Sequence, residues 1–360
     1  MPQPSDCYRP SGLKLAAWPS AYRDAWEEAF RPSGLFATSR PATTWRAATV
    51  KKVQKGFGIY LDWLLSEGQL HPHDPPEAIL TRQRAEAYRC ALIEAGSAPL
   101  TIYNRFQELH FALRILVPES DWSWLGQAAK RLRRTARPMR TKLPRLQPVE
   151  RLERLGRDLM QRAQLEAGKT MYKRALMFRD GLLIAFLARR PLRLKNVAAL
   201  TLGASLVLTG TAATLAFSRD DVKGKRSLEI PFPAALWEDL RTYLTIWRPY
   251  LLALAHVERR NPGNALWISN EGSQMKDHAI HVAIKKRTKA AFSRDLSPHL
   301  FRDCAVTSVV RNAPASARLT RDLLGHTTID TTNQHYNQAK MVEASRRHTA
   351  MMESLCLQEP

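Results

Sequence analysis

From Ala42 onward, apolar residues recur mostly at three- and four-residue steps. Trp45, Val50, Val53, Phe57, Tyr60, Leu61 and Leu64 mark one face of a long amphipathic helix. Gly68 and the run HPHDPP at 71–76 end it, because glycine and proline both interrupt the helical period. The same period predicts a second helix over Thr81–Ala95, closed by Gly96. It predicts a third over Leu100–Val117, with Ile102, Phe106, Leu109, Leu113 and Leu116 on one face, and a fourth after Trp122 and Trp124. Four apolar stripes of this kind form the core of a small all-α domain over 41–137. Ahead of it, residues 1–40 form a Pro- and Ser-bearing extension with one short helical stretch near Ser20–Phe30.

Past Pro148 the helical period returns, over Val149–Ala167 and again over Tyr172–Arg189, whose middle reads LLIAFLA. It then shortens to two. SLVLTG (205–210), AATLAFS (212–218) and SLEIPF (227–232) predict three short strands joined by tight turns, a small antiparallel sheet. Helix is expected again over Ala234–Val257, one more strand at LWIS (266–269), and helices over 276–292, 298–311, 318–324, 328–339 and 342–354. The fold class expected is mainly α with a small antiparallel β-sheet. An N-terminal helical domain is joined to a mixed second domain over 149–341, and 342–360 form a C-terminal helix and tail.

Charge narrows the choice of partner. Lys and Arg number 55 against 33 acids, a net +22 and a pI near 10.3. Such an excess favours a polyanion, because each phosphate neutralised releases counterions. The densest run, KRLRRTARPMRTKLPR at 130–145, holds Lys130, Arg131, Arg133, Arg134, Arg137, Arg140, Lys142 and Arg145 with no acid. Pro138, Pro144 and Pro148 keep its second half extended, so 138–148 form a basic linker suited to lie along a DNA backbone. In the first domain Lys51, Lys52, Lys55, Arg82, Arg84 and Arg105 add to the polar faces.

The four cysteines, Cys7, Cys90, Cys304 and Cys356, are scattered without a Cys-x-x-Cys pair. This suggests neither a disulfide framework nor a thiolate metal site. The N-terminal residues lack a signal-type apolar core, and the apolar run Gly181–Ala188 is too short to span a bilayer. The expectation is a cytoplasmic protein, nucleoid-associated when on DNA, with no membrane partner.

The stretch Ser297–Ala339 concentrates reactive side chains. His299 and Arg302 form a His-x-x-Arg, a Leu-Gly-His ends at His326, and Tyr336 follows in a Thr-rich context. Arginines fork onto phosphate oxygens, and a phenol serves as a covalent nucleophile. Cleaving a phosphodiester through tyrosine needs a second cation across the phosphate and an acid for the departing 5′ oxygen. Arg189, Arg190 and Arg193 are candidates for the first, and Lys223 and Lys225, in the turn between the second and third strands, for the second.

The ordered set resembles the tyrosine recombinase (phage integrase) family. Its pattern is an Arg with a Leu seven residues on, a hairpin Lys before a strand, His-x-x-Arg, Leu-Gly-His and Tyr. Arg193 has Leu200 seven residues on, and Lys223 precedes Pro231 by eight, the spacing of Xer-type members. The resemblance implies a core-binding domain and a catalytic domain that clamp duplex DNA at a recombination site. Tyr336 would be the nucleophile that forms a 3′-phosphotyrosyl link. Arg193 and Arg302 would hold the phosphate and Lys223 protonate the leaving oxygen. His326 would donate a hydrogen bond, and His299 orient or deprotonate the phenol. It implies a tetramer on DNA and no metal, ATP or other cofactor. Three departures stand out: Asn196 where many members carry Glu, Asp303 where His or Lys is frequent, and ten residues rather than nine from His326 to Tyr336. Two other readings fit parts of the pattern, a tyrosine-type topoisomerase and a degenerate DNA-binding protein of architectural or regulatory kind.

Overall fold

The structure is a computed structural model that describes residues 11–32, 41–71, 75–137, 142–218, 227–254 and 263–312. The chain divides into two compact units, Met1–Thr141 and Lys142–Pro360.

The first unit is helical: α1 (Ser20–Ala29), α2 (Ala47–Ser66), α3 (Arg82–Glu94), α4 (Pro99–Leu116) and α5 (Ser123–Thr135). Its core is aromatic. Trp63 packs tilted against Tyr60 and Tyr88 meets it edge-on, as Trp18 meets Phe57 with ring centroids 5.0 Å apart. Trp18, Tyr22 and Trp26 are all buried in this core, so it takes in part of the segment ahead of residue 41. The entry to α1 is tied to α2 by Leu13 N donating to Gly58 O (2.9 Å) and Gly12 N donating to Asp62 Oδ2 (3.1 Å). Gly12 adopts φ +80°, a conformation that favours glycine.

Four of the six cations noted on the first unit's faces already have partners. Arg105 and Lys52 both pair with Glu108, a carboxylate buried on α4 opposite Gly56. Arg84 donates to the Ala78 carbonyl (3.0 Å), and Arg82 lies over the Trp124 ring at 5.5 Å.

The second unit is built around α7 (Met171–Arg189), which is buried almost continuously from Met177 to Ala188. Antiparallel to it runs α6 (Val149–Leu165). The two approach backbone to backbone: a Cβ at Gly156 would sit 2.6 Å from the Gly181 carbonyl and 2.7 Å from the Ala185 nitrogen. A five-residue helix, α8 (Leu194–Ala198), not expected from the periodicity, leads to the sheet.

The strands are β1 (Leu206–Thr209), β2 (Ala212–Phe217) and β3 (Leu228–Pro231), antiparallel in the order β1-β2-β3. Leu206 faces Leu215, and Leu215 faces Ile230. Ala213, Leu215 and Phe217 turn one face of β2 into the core, as period-two alternation requires. Gly210 makes the two-residue β1–β2 turn at φ +53°.

Two expectations need correction. The helix expected over Ala234–Val257 is broken in character: α9 (Trp237–Thr242), a π-helical turn at Tyr243–Trp247, then α10 (Arg248–Ala253). Pro249 explains the widening, since its ring displaces the carbonyl four residues back. The strand expected at 266–269 forms no ladder; Ile268 makes only an isolated bridge to Gln274. Main-chain groups outside any ladder and side chains share its backbone instead: Leu266 N donates to Leu200 O (2.8 Å) and Met275 N to Trp267 O (2.9 Å). Tyr243 Oη donates to Leu266 O (3.1 Å) and accepts from Ile268 N (3.3 Å), and Arg179 donates to Ile268 O (2.8 Å).

The unit closes with α11 (Asp277–Phe292) and α12 (Pro298–Asn312). Asp180, buried on α7, pairs with Arg179 (2.7 Å) and with Arg287 of α11 (2.9 Å). The helices expected over 318–324, 328–339 and 342–354 lie outside the described residues. No described helix is long and apolar enough to cross a membrane.

Replacing Gly181 with Ala should destabilise the second unit by about 1–3 kcal/mol, because the added carbon meets the Gly156 carbonyl rather than a yielding side chain. Denaturant unfolding followed by far-UV circular dichroism measures this, and a midpoint equal to wild type would contradict the close approach.

Candidate active site

Pro298 opens α12, a position where its missing amide and fixed φ suit a helix start. Leu300, Phe301 and Cys304 are buried in the core, and this fixes the rotation of the helix. The rotation in turn sets where His299, Arg302 and Asp303 lie. Burial pushes the Cys304 thiol up to about 11, so it remains protonated at neutral pH.

Arg302 is nearly buried, 6% exposed, and donates from Nη1 to the Pro191 carbonyl at 2.6 Å. Pro191 belongs to the short loop between α7 and α8, and the same loop carries Arg193 at the N-cap of α8. There the Arg193 carbonyl accepts from the amides of Asn196 (2.8 Å) and Val197 (3.1 Å). The hydrogen bond to Pro191 therefore ties the His-x-x-Arg turn to the loop holding the second arginine. Burial first, and then the positive charge of Arg193, push Arg302 down to about 10, with Asp303 opposing; it is still a cation at neutral pH.

His299 presents one side to solvent, while protein packed around its ring desolvates it and holds it below the ordinary imidazole range. Asp303 pulls the other way; Lys142, Arg302 and Arg193 add to the lowering. His299, Arg302 and Arg193 thus share one electrostatic environment. The alternative arginines are engaged elsewhere: Arg189 with Glu153 (2.6 Å) and Arg190 with the Pro231 carbonyl (3.3 Å).

Asn196 is buried within α8, and Leu200 is fully buried in the core. Asp303 is buried as well and pairs with Lys142, Nζ to Oδ2 2.9 Å. Lys223, its alternative Lys225, His326 and Tyr336 lie outside the described residues. Among the described residues no three His, Cys, Asp or Glu side chains gather to hold a metal ion.

The basic run divides into two parts. Lys130, Arg131, Arg133 and Arg134 occupy the last turns of α5, and all four are exposed, as is Arg137 beyond it. Arg133 lies over the Tyr103 ring at 5.8 Å. Arg140 is outside the described residues. Lys142 and Arg145 reach carboxylates: Lys142 that of Asp303, and Arg145 that of Asp295, whose backbone oxygen is 2.6 Å from Nη2. The Lys142–Asp303 pair was not expected from the sequence. The one available signal was Asp303 itself, an acid in a helix that has no other and offers no Lys to pair with it.

The phage integrase family model matches residues 158–343, just over half of the chain. A tyrosine recombinase, XerD, of Staphylococcus saprophyticus is 29% identical over 119 residues, 33% of this chain and 38% of that protein. XerD of Staphylococcus aureus is 29% identical over 136 residues, 38% of this chain and 44% of its own length. The chain therefore spans less than half the length of these relatives. In overall fold it is similar to the XerH site-specific recombinase bound to its difH substrate, in a pre-cleavage complex. The TM-score is 0.55 over 94% of this chain and 98% of that one, at 14% identity.

A proton-NMR titration of His299 should give a pKa below that of an unstructured histidine. Asp303→Asn should lower it further, because the aspartate is the group that favours the charged ring. An upward move in that variant would mean the carboxylate does not face the imidazole.

Proposed function

We propose that this chain, which belongs to the phage integrase family, is a site-specific recombinase that cuts and rejoins duplex DNA through a 3′-phosphotyrosyl intermediate. The observation that carries the reading is the bond from Arg302 to the Pro191 carbonyl, which ties His299 and Arg302 of α12 to the loop that carries Arg193. Two guanidinium groups brought together, one of them nearly buried, raise the local positive potential in a way that a phosphodiester anion relieves. Arginine keeps its charge even when its pKa falls to about 10, so this field persists at neutral pH.

In the reaction, the Tyr336 oxygen attacks phosphorus in line. A tyrosyl oxygen–phosphorus bond forms as the bond to the 5′ oxygen breaks. An ordinary phenol has a pKa near 10, so only about one in a thousand is ionised at neutral pH. His299, neutral there, is suited to accept or orient that proton. Lys223 supplies a proton to the departing 5′ oxygen, and His326 donates a hydrogen bond to a non-bridging oxygen. Rejoining is the reverse, with a 5′ hydroxyl as nucleophile. One phosphodiester is exchanged for another, so the chemistry calls for neither nucleotide hydrolysis nor metal.

The exposed Lys130, Arg131, Arg133, Arg134 and Arg137, together with Arg140 of the same basic run, are taken to follow the phosphate backbone, where contacts give affinity without sequence information. Lys142 and Arg145, from the same run, have carboxylate partners within their own unit. Exchange between two duplexes requires four cleavage sites, so the working assembly is taken as a tetramer on DNA, acting in the cytoplasm at the nucleoid. Residues 342–360 are a candidate for the docking segment.

Tyr336→Phe should abolish covalent protein–DNA adducts on a nicked suicide substrate and leave duplex binding intact. Arg302→Gln should lower cleavage by at least about a hundredfold, as loss of a charge-stabilising donor does. Adducts surviving in the Phe variant would exclude this nucleophile. A wild-type chain that binds but never cleaves would favour an architectural role, and relaxation of DNA without exchange between two sites would favour a topoisomerase.

A further inference from the structure

Asp303 puts a negative charge in a place meant for an anion. Its side chain is 8% exposed, it follows Arg302 directly, and its charge acts on both Arg302 and His299. A carboxylate there competes with an incoming phosphate for the guanidinium and repels the phosphate itself. Lys142 answers that charge at 2.9 Å.

The pair belongs to a longer seam. The segment from Lys142 to Val149 runs along α12 with contacts in register: Lys142 Nζ to Asp303, Gln147 N to Cys304 Sγ (3.4 Å) and Val149 N to Ser308 Oγ (3.0 Å). On its other side, Arg294 donates to the Pro144 carbonyl, and Arg145 is held at Asp295, which also takes Lys285 (2.6 Å). The backbone that carries Lys142 is therefore pinned at several points, and the ammonium group is delivered to one carboxylate.

We infer that Lys142 is a positioning residue for strand cleavage: by holding the Asp303 carboxylate it keeps that charge off Arg302 and leaves the guanidinium to the scissile phosphate. The inference deepens the recombinase reading and rests on Arg302 binding that phosphate. It gives Lys142 a different task from the DNA-backbone contact that its place in the basic run suggests. It also accounts for the acid after Arg302: the cation that this acid requires comes from a segment about 160 residues earlier.

The test is a double-mutant cycle read by single-turnover cleavage of a nicked suicide substrate, with duplex affinity measured over a salt series. K142M should slow cleavage roughly tenfold, the order expected when a nearly buried carboxylate loses its cation, with affinity and its salt dependence unchanged. Adding D303N to K142M should bring the rate back to within about threefold of wild type, and K142R, which keeps the charge, should cleave normally. The inference is overturned if K142M weakens binding with a shallower salt dependence that D303N does not repair, the behaviour of a phosphate contact. A K142M protein that cleaves at the wild-type rate overturns it equally. Should K142M fail to fold, the K142M/D303N protein carries the test. Near-normal cleavage supports the inference, and slow cleavage at normal affinity refutes it.

Failure of the recombinase reading is separately visible as a wild-type chain that forms no adduct. The pairing is then still read in the His299 NMR titration, which K142M should move upward and the added D303N should move back down. No movement in either variant refutes the pairing.

Discussion

A guanidinium group placed almost out of water needs both a hydrogen-bond acceptor and a reason to stay charged. Arg302 has the Pro191 carbonyl as acceptor, and much else follows from that bond. It fastens the first turn of α12 to the loop that follows α7, and so sets the distance between the two arginines. The depth of α7 in the core makes that loop a fixed platform, because Met177 to Ala188 are locked by neighbours on every side. Charge placement defines the centre. Two arginines raise the potential, a desolvated imidazole stays neutral beside them, and a buried carboxylate is balanced from outside the helix.

That balance shows how a departure in a motif can be compensated at a distance. The pattern that this chain resembles usually has His or Lys after the second arginine. Here the acid brings a lysine with it from the far end of the basic run. Lys142 and Arg145 look, in the sequence, like any other members of a cationic tract. Their carboxylate partners, Asp303 and Asp295, set them apart from the exposed Arg131, Arg133 and Arg134 of α5.

Elements with strong local periodicity were legible from the residues alone. The three strands announce themselves by alternation, and β2 buries every second side chain as that alternation demands. The apolar run 182–188 is the buried C-terminal part of α7, and the stripes at Phe57 to Leu64 and at Ile102 to Leu116 are core in the first unit. Features that depend on partners distant in sequence were not legible. Trp18, Tyr22 and Trp26 sit in a composition that reads as an extension, and only packing on α2 reveals them as core. The stretch at 266–269 has strand-like residues, but its backbone groups are divided among the Tyr243 and Arg179 side chains and the main chain of Leu200, Ser273 and Met275, so no ladder forms. Pro249 was visible, yet its outcome, a widened turn rather than a stop, depends on the surrounding core. The order Arg193, His299, Arg302 along the chain was readable. Which carbonyl would receive Arg302, and which cation would answer Asp303, was not.

The contact of Gly156 with Gly181 has a mechanical consequence. Where two helices touch through their main chains, no flexible side chain lies between them to absorb a displacement. A push on the start of α6, which follows directly on the seam along α12, therefore meets little give at this point of α7, and α7 ends at the arginine-bearing loop. Helix pair and loop behave as a single stiff lever. Any rearrangement of the second unit is taken up more readily away from this contact than at it.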